Sequence, residues 1–180
     1  MRQASGVVRK FADIKMKLLL MLIFLIFGLQ IFAQDKIVGR YADYFGHSIT
    51  INANGNFKYF YRFDMGSFWT RGIWALQNDT VFLTAIPIYD TLRYMDRDKI
   101  TKDSLTLAVD EKPQIRSVSI TGAIYSGSQD ITDYPQKLLF KNNRLYSIDK
   151  KGKLITKKEK AFWTGKKYRP WFNKTNVAQD

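Results

Sequence analysis

The sequence contains no cysteine and a single histidine, His47, among its 180 residues. Without cysteine the chain cannot form disulfides, a thiolate nucleophile or a cysteine-ligated metal site. One imidazole cannot build a His–His metal site, and a Ser–His triad would have to use this same residue. His47 follows Gly46 at the predicted start of a strand, and we interpret it as an exposed turn residue. The sequence predicts no catalytic residue, no metal site and no cofactor.

The one long apolar run lies near the N-terminus, from Leu18 to Leu29. Basic residues precede it, and Ile31-Phe32-Ala33 follows with a small residue at the −1 position of a cleavage site. Residues 1–34 are therefore a predicted secretory signal peptide, with Met16 as an alternative start. The run up to Ala33 is about 16 residues, against roughly 20 needed to span a bilayer. We predict cleavage and export to the periplasm or the extracellular space, and an uncleaved signal that anchors the protein in the inner membrane is the alternative.

Proline is scarce, and β-branched and aromatic residues dominate the stretch from Ile37 to Ala85. Asn, Asp and Gly break this stretch into short runs, a pattern typical of consecutive antiparallel hairpins. Asn54-Gly55 is predicted to be a two-residue hairpin turn, and Asn78-Asp79 is a weaker candidate for the same conformation. Pro87 makes the run from Ile86 to Leu92 ambiguous, since proline is confined to sheet edges and bulges.

About ten short strands at near-regular spacing predict an all-β fold, an antiparallel meander barrel or sandwich of about 8–10 strands. The barrel domain is predicted to span residues 35–157, after an N-terminal signal helix and before an irregular basic-aromatic tail at residues 158–180. Arg93–Asp103 is interpreted as a charged connector with room for one helical turn. The predicted strands are Ile37–Phe45, Ser48–Asn52, Asn56–Phe63, Trp69–Gln77, Thr80–Ala85, Ser104–Asp110, Val118–Ile124, Lys137–Lys141, Arg144–Ile148 and Lys153–Lys157.

Four motifs between residues 37 and 84 occur in a recognisable order: G-R-Y, N-G-N-F, R-G-I-W and N-D-T-V-F-L. In this order they resemble small secreted bacterial lipocalin-like domains of the Bacteroidota type, whose signals often end in A-Q, as at Ala33-Gln34. In that resemblance Gly39 and Tyr41 take the places of a Gly-x-Trp motif, and Thr132-Asp133-Tyr134 is similar to a loop motif. The resemblance implies a meander barrel with an apolar ligand cavity.

One face of the third predicted strand is a continuous aromatic stripe formed by Phe57, Tyr59, Tyr61 and Phe63. The residues between them, Lys58, Phe60 and Arg62, point to the other face. The stripe either lines an apolar cavity or fills the core of a closed barrel. Trp69 and Trp74 are five residues apart, so a regular strand would point them to opposite faces. The candidate ligand-binding residues are Phe57, Tyr59, Tyr61, Phe63, Trp69 and Trp74.

Acidic residues are few, with 16 against 29 basic ones, and the formal net charge is +13. The excess lies between Lys137 and Lys174, where thirteen basic residues face only Asp149 and Glu159. Interleaved cations and aromatics are typical of segments that bind anionic surfaces such as lipid headgroups, and export argues against nucleic acid. A solvated terminus pinned to the barrel by its aromatics is the alternative. The candidate surface-binding residues are Lys157, Lys158, Lys160, Trp163, Lys166, Lys167, Arg169 and Trp171.

These patterns favour an exported, non-enzymatic binding protein of the cell envelope. Its partner would be a small hydrophobic ligand in the barrel or an anionic membrane or envelope surface on the tail. A first alternative is a carbohydrate-active enzyme that uses carboxylates of the 90–103 connector, since paired carboxylates perform acid/base chemistry on sugars. A second is a structural protein held by an uncleaved signal. The four carboxylates of the enzyme hypothesis are Asp90, Asp96, Asp98 and Asp103.

Overall fold

The computed structural model describes residues 16, 17, 21, 36–64, 66–96, 99–118 and 127–175. The chain divides into two compact units, residues 1–37 and 38–180. Apart from residues 16, 17 and 21, the predicted signal peptide lies outside the described residues. Within the described ranges, no helix is long and apolar enough to cross a membrane.

The second unit is built from strands, as the alternation of aromatic and polar residues predicts. Thirteen strands occur in the described part of the chain. They are β1 (Gly39–Ala42), β2 (His47–Ile51), β3 (Asn56–Phe63), β4 (Gly66–Gln77), β5 (Thr80–Ala85), β6 (Tyr89–Asp96), β7 (Lys99–Leu107), β8 (Ile115–Val118), β9 (Lys137–Lys141), β10 (Arg144–Ser147), β11 (Glu159–Lys160), β12 (Lys167–Tyr168) and β13 (Phe172–Thr175).

Eight of these strands form a closed barrel in the order β1-β13-β10-β9-β5-β4-β3-β2, with every neighbouring pair antiparallel. Each barrel strand pairs with the next barrel strand along the chain, and β13 closes the ring on β1. The predicted all-β antiparallel barrel is thereby confirmed. An eight-stranded closed meander is compatible with a lipocalin-like fold.

Short turns close one end of the barrel. Asn78 and Asp79 both have positive φ, as do Asn142 and Asn143, so each pair forms a two-residue turn of the type that matches strand twist. The turn between β2 and β3 differs from the prediction. The Gly55 amide donates to the Asn52 carbonyl, and only Gly55 in this turn has positive φ, +82°. This is a longer loop with a glycine bulge rather than a two-residue turn.

Two insertions leave the barrel at its other end, which we call the insertion end. The first, residues 86–136, contains a three-stranded sheet in which β6 pairs antiparallel with β7 and parallel with β8. The predicted connector Arg93–Asp103 is thus part of a hairpin, and Arg93 bonds Asp103 across the two strands at 3.2 Å. Only residue 118 of the predicted strand Val118–Ile124 is described.

The second insertion, residues 148–171, contains the small hairpin β11–β12. The predicted strand Lys153–Lys157 is wrong, because this segment contributes only an isolated bridge between Ile148 and Leu154. The eighth barrel strand is instead β13, which lies within the segment predicted to be an irregular tail. Phe172 points inward and is buried there, whereas Leu154 is exposed, so β13 provides the apolar contact that closure requires.

The barrel interior is packed with large side chains over most of its length. Burial in the interior raises the pKa of Tyr41 to about 12. The Trp74 indole lies inside near the turn end and donates to the Asn52 carbonyl at 2.9 Å. Other fully buried residues of this core are Ile49, Ile51, Phe57, Val81, Leu138 and Leu145.

Candidate ligand site at the insertion end of the barrel

A cavity of about 470 Å³ opens at the insertion end. Tyr61 and Phe63 line it from the end of β3, and His47 lines it from the start of β2. Phe162 and Trp163 form the opposite wall from the second insertion. A volume in the range of roughly 300–1,000 Å³ with aromatic walls and a few polar groups is typical of small-molecule sites. We call this space the large cavity.

The opposite wall belongs to a segment that we call the capping hairpin, residues 157–169, which contains β11 and β12. Its tip is a tight turn in which the Ala161 amide donates to the Lys166 carbonyl at 2.8 Å. At its base Tyr168 stacks on Tyr44 with ring centroids 3.3 Å apart. The base therefore fixes the hairpin to the loop that connects β1 and β2.

The tip of the capping hairpin folds back onto the rim of the barrel. The Phe63 ring lies 6.1 Å from Phe162 in an edge-to-face arrangement and 6.4 Å from Trp163 in a stacked one. Such aromatic pairs are worth about 0.5–1.5 kcal/mol beyond the area that they bury. The large cavity thus exists because the hairpin and the rim contact each other above the packed core.

His47 provides a polar group of the site that Asp43 and Tyr61 hold in place. Its Nδ1 lies 2.6 Å from Oδ2 of Asp43, and its ring stacks on Tyr61 at 4.5 Å. Oδ1 of the same carboxylate accepts the backbone amides of Phe45 and His47, at 2.8 and 2.9 Å. Because the carboxylate is an acceptor, Nδ1 must carry a proton in this pair, which leaves Nε2 for a ligand.

A second, smaller cavity of about 160 Å³ continues from the same place. It shares Phe45, His47 and Glu159 with the large cavity, and its inner wall contains Tyr59 and Phe172. Burial raises the pKa of Tyr59 above its ordinary value, so its hydroxyl stays protonated at neutral pH. The two cavities together form an aromatic entrance and a narrower inner end, where the Tyr59 hydroxyl and the His47 ring are polar groups that a ligand can meet.

The structure separates the six residues predicted to bind a ligand. Tyr61 and Phe63 line the large cavity, and Tyr59 lines the small one. Phe57 and Trp74 are buried in the core. Trp69 and Trp74 do point to opposite faces, as their spacing predicts.

Trp69 lies on the outside of the barrel, where the first insertion covers it. It forms a small apolar cluster with Ile88 and Ala108, and Phe60 packs against this cluster. Its indole N–H donates to the carbonyl of Val109 at 2.8 Å. Trp69 therefore attaches the first insertion to the barrel wall and does not line either cavity.

The residues predicted to bind an anionic surface also fall into two groups. Lys157, Lys158, Lys160, Lys166, Lys167 and Arg169 are all exposed on the capping hairpin. Trp163 is 73% exposed at its tip, whereas Trp171 is only 9% exposed. Trp171 packs on Tyr146 at 5.2 Å and lies under the guanidinium of Arg169 at 4.6 Å. Trp171 is therefore an anchor of the segment, and Trp163 is the tryptophan that can reach a surface.

The carboxylates of the 90–103 connector do not form an open acidic pair among the described residues. Burial alone would raise the pKa of Asp90, but hydrogen bonds from the amides of Gln114 and Val109 and from Arg116 outweigh it and lower that pKa. The Asp90 side chain is fully buried, so these contacts occupy it structurally. Asp103 is held by Arg93, while residue 98 and the side chain of Asp96 lie outside the description.

The sequence did not predict the pairing of His47 with Asp43 in the site. His47 was interpreted as an exposed turn residue, yet its ring is half-buried and paired with Asp43, whose side chain is 4% exposed. The available signal was the spacing D-x-x-x-H across a loop between two strands, which brings the side chains together only if the loop folds back.

Within the ranges that the structure describes, no cluster of three His, Asp or Glu residues could hold a metal ion.

No protein-family model matches this chain, and neither a curated protein nor a solved structure is significantly similar to it.

Proposed function

We propose that this protein is an exported, non-enzymatic binding protein that holds a small amphipathic molecule at the insertion end of its barrel. The observation that supports this most strongly is the large cavity of about 470 Å³, which lies between the barrel rim and the capping hairpin. Its aromatic walls suit an apolar or planar group of the ligand. Export rests on the apolar and basic pattern of residues 1–34.

The inner end of the site suits a polar group of the same ligand. His47 Nε2 is an acceptor in the neutral imidazole, and the protonated hydroxyl of Tyr59 is a donor in the small cavity. A ligand with a hydroxyl or amide at one end and an aromatic or aliphatic body would satisfy both parts. The packed core, which begins at Phe57, limits how deeply a ligand can enter the barrel from the insertion end. The ligand is therefore shorter than the barrel.

The proposal is tested by fluorescence titration with N-phenyl-1-naphthylamine, an apolar probe that carries one N–H group. We expect saturable binding with a dissociation constant on the order of 10 µM, since a ligand of this size gains about 0.3–0.5 kcal/mol per heavy atom. Phe63→Ser should weaken binding about fivefold or more, because it removes an aromatic wall worth about 1 kcal/mol.

The matched control is Ile73→Ser. Ile73 is 51% exposed on β4 and lines neither cavity, so this variant should bind the probe as the unaltered protein does. His47→Ala tests the polar end and should lower the affinity for hydroxyl-bearing ligands more than for purely apolar ones. Absence of saturable binding, or equal loss in Phe63→Ser and Ile73→Ser, would contradict the proposal.

A further inference from the structure

The tip of the capping hairpin exposes two large aromatic side chains side by side. Phe162 and Trp163 are 76% and 73% exposed, and their rings contact each other at 4.9 Å. Both rings pack against Phe63 at the rim, yet most of their surface remains exposed to water. Adjacent aromatics at an exposed tip are typical of side chains that enter the interfacial layer of a lipid bilayer.

Cations surround this tip without carboxylate partners. The hairpin carries six basic residues and one acidic residue, Glu159. No ion pair found among the described residues involves one of its lysines. Lys160 precedes the two aromatics and Lys166 follows them within the same turn, and Lys167 comes next on β12. A compact set of unpaired ammonium groups is complementary to a negatively charged surface.

We propose that the capping hairpin docks the insertion end of the barrel onto an anionic phospholipid bilayer. Phe162 and Trp163 enter the headgroup layer, and the lysines beside them contact lipid phosphates. The charge distribution favours this occupant over a second copy of the chain, because two hairpins with the same strong positive charge would repel each other. Docking does not require a bound ligand, so it goes beyond the proposed function, and it brings the large cavity to the bilayer surface.

Trp163 gives this proposal a local readout in the full-length protein. The other three tryptophans, Trp69, Trp74 and Trp171, are each less than 10% exposed. Residues 1–34 contain no tryptophan, so the N-terminal apolar run does not contribute to the signal. Vesicles of phosphatidylcholine alone are compared with vesicles that contain about 30% phosphatidylglycerol, each with brominated acyl chains as quencher.

We expect the anionic vesicles to shift Trp163 emission to shorter wavelength and to quench it, and the neutral vesicles to do so far less. The effect should decrease strongly between about 0.05 M and about 0.5 M salt, because screening shortens the range of the attraction. Each lysine near an anionic surface strengthens partitioning about fivefold, so the triple variant K160Q/K166Q/K167Q should bind about 100-fold more weakly. Trp163→Phe should abolish the quenching while vesicle co-sedimentation persists.

Two matched controls test whether binding depends on the capping hairpin itself or only on the total positive charge and the exposed apolar surface of the protein. The triple variant K102Q/K112Q/K141Q removes the same charge from exposed sites outside the hairpin and should change partitioning less than about threefold. F162S/W163S is compared with L105S/I115S, whose wild-type side chains are 70% and 65% exposed elsewhere. Only the first double variant should lose binding. The two triple variants and L105S/I115S should keep the wild-type unfolding midpoint, whereas F162S/W163S should still unfold cooperatively at a slightly lower midpoint, because it loses the ring contacts with Phe63.

Three results would overturn the proposal. The first is equal Trp163 quenching by neutral and anionic vesicles, and the second is equal loss of binding in the hairpin and control variants. The third is a concentration-dependent shielding of Trp163 without vesicles, which sedimentation would identify as self-association through the tip. Probe binding by the large cavity is measured without lipid, so each proposal can fail independently.

Discussion

Replacement of Phe172 by alanine tests whether the C-terminal segment closes the barrel. Phe172 is the first residue of β13, is 3% exposed and pairs with Leu145 of β10. Truncation of a buried phenylalanine costs about 3–5 kcal/mol, because the transfer free energy is lost and a cavity remains. Domains of this size have about 5–15 kcal/mol of stability in total. Thermal unfolding followed by circular dichroism should therefore show a midpoint lowered by about 10–20 °C.

The neighbouring variant Asn173→Ala is the control for this prediction. Asn173 is exposed on the same strand and accepts one hydrogen bond from Arg144 at 3.1 Å, so its loss should cost about 1 kcal/mol or less. A chain that ends after Pro170 should lose cooperative unfolding, because β1 and β10 would both keep an open edge. Equal small effects of the two substitutions would refute β13 as a barrel strand.

Three further predictions concern single positions in the second unit. Gly72→Ala should lower the free energy of unfolding by at least about 1–3 kcal/mol, because a Cβ at this position overlaps the carbonyl of Thr84 on β5. Urea denaturation measures this change, and an unchanged midpoint would contradict the β4–β5 register. Gly55→Val should cost on the order of 1–2 kcal/mol through the positive φ alone, since nothing crowds this site; unchanged stability would place the turn elsewhere. The pKa of Asp90 is lowered in the folded state, so ionised Asp90 stabilises the fold at pH values above the ordinary pKa of about 3.9. This stabilisation is lost as the pH falls through the folded pKa. In Asp90→Asn the free energy of unfolding should therefore fall less steeply at acid pH, and an identical acid dependence in the variant would refute the assignment.

The local parts of the fold could be predicted because their signals lie close together in the sequence. β3 and β5 have the predicted bounds, Asn56–Phe63 and Thr80–Ala85. Alternation of aromatic and polar residues identifies such strands, and asparagine pairs that tolerate positive φ identify their turns. The Asn142-Asn143 turn between β9 and β10 follows from the same chemistry.

The closing strand could not be predicted from local pattern. Only one of the four residues of β13 is a buried apolar residue. The hydroxyl of Thr175 on this strand donates to the carbonyl of Arg40, which lies 135 positions earlier in the sequence. Nothing in a four-residue segment specifies a pairing over that distance. The hairpin of β6 and β7 was predicted only in part, since the predicted strand Ser104–Asp110 overlaps the end of β7. The rest was not predicted, because the cross-strand contact between Arg93 and Asp103 looks in the sequence like a charged connector.

The candidate site was only half predictable for a related reason. The aromatic stripe on β3 was identified, but the register that buries Phe57 and leaves Phe63 at the rim depends on where the barrel ends. The opposite wall comes from the capping hairpin, which the sequence presents as a basic tail. The side chains of Asp43 and His47 meet because the loop between β1 and β2 folds back. No periodic pattern in the sequence predicts this loop conformation.

The most direct test of the ligand site uses the fact that His47 is the only histidine. Its imidazole Cε1–H gives a single proton resonance in the NMR spectrum that needs no further assignment. If the large cavity binds the probe, titration with N-phenyl-1-naphthylamine should shift this resonance saturably, with the same dissociation constant as the fluorescence titration, and Phe63→Ser should weaken both together. A probe that binds while the His47 resonance stays fixed would place the ligand elsewhere and contradict the site.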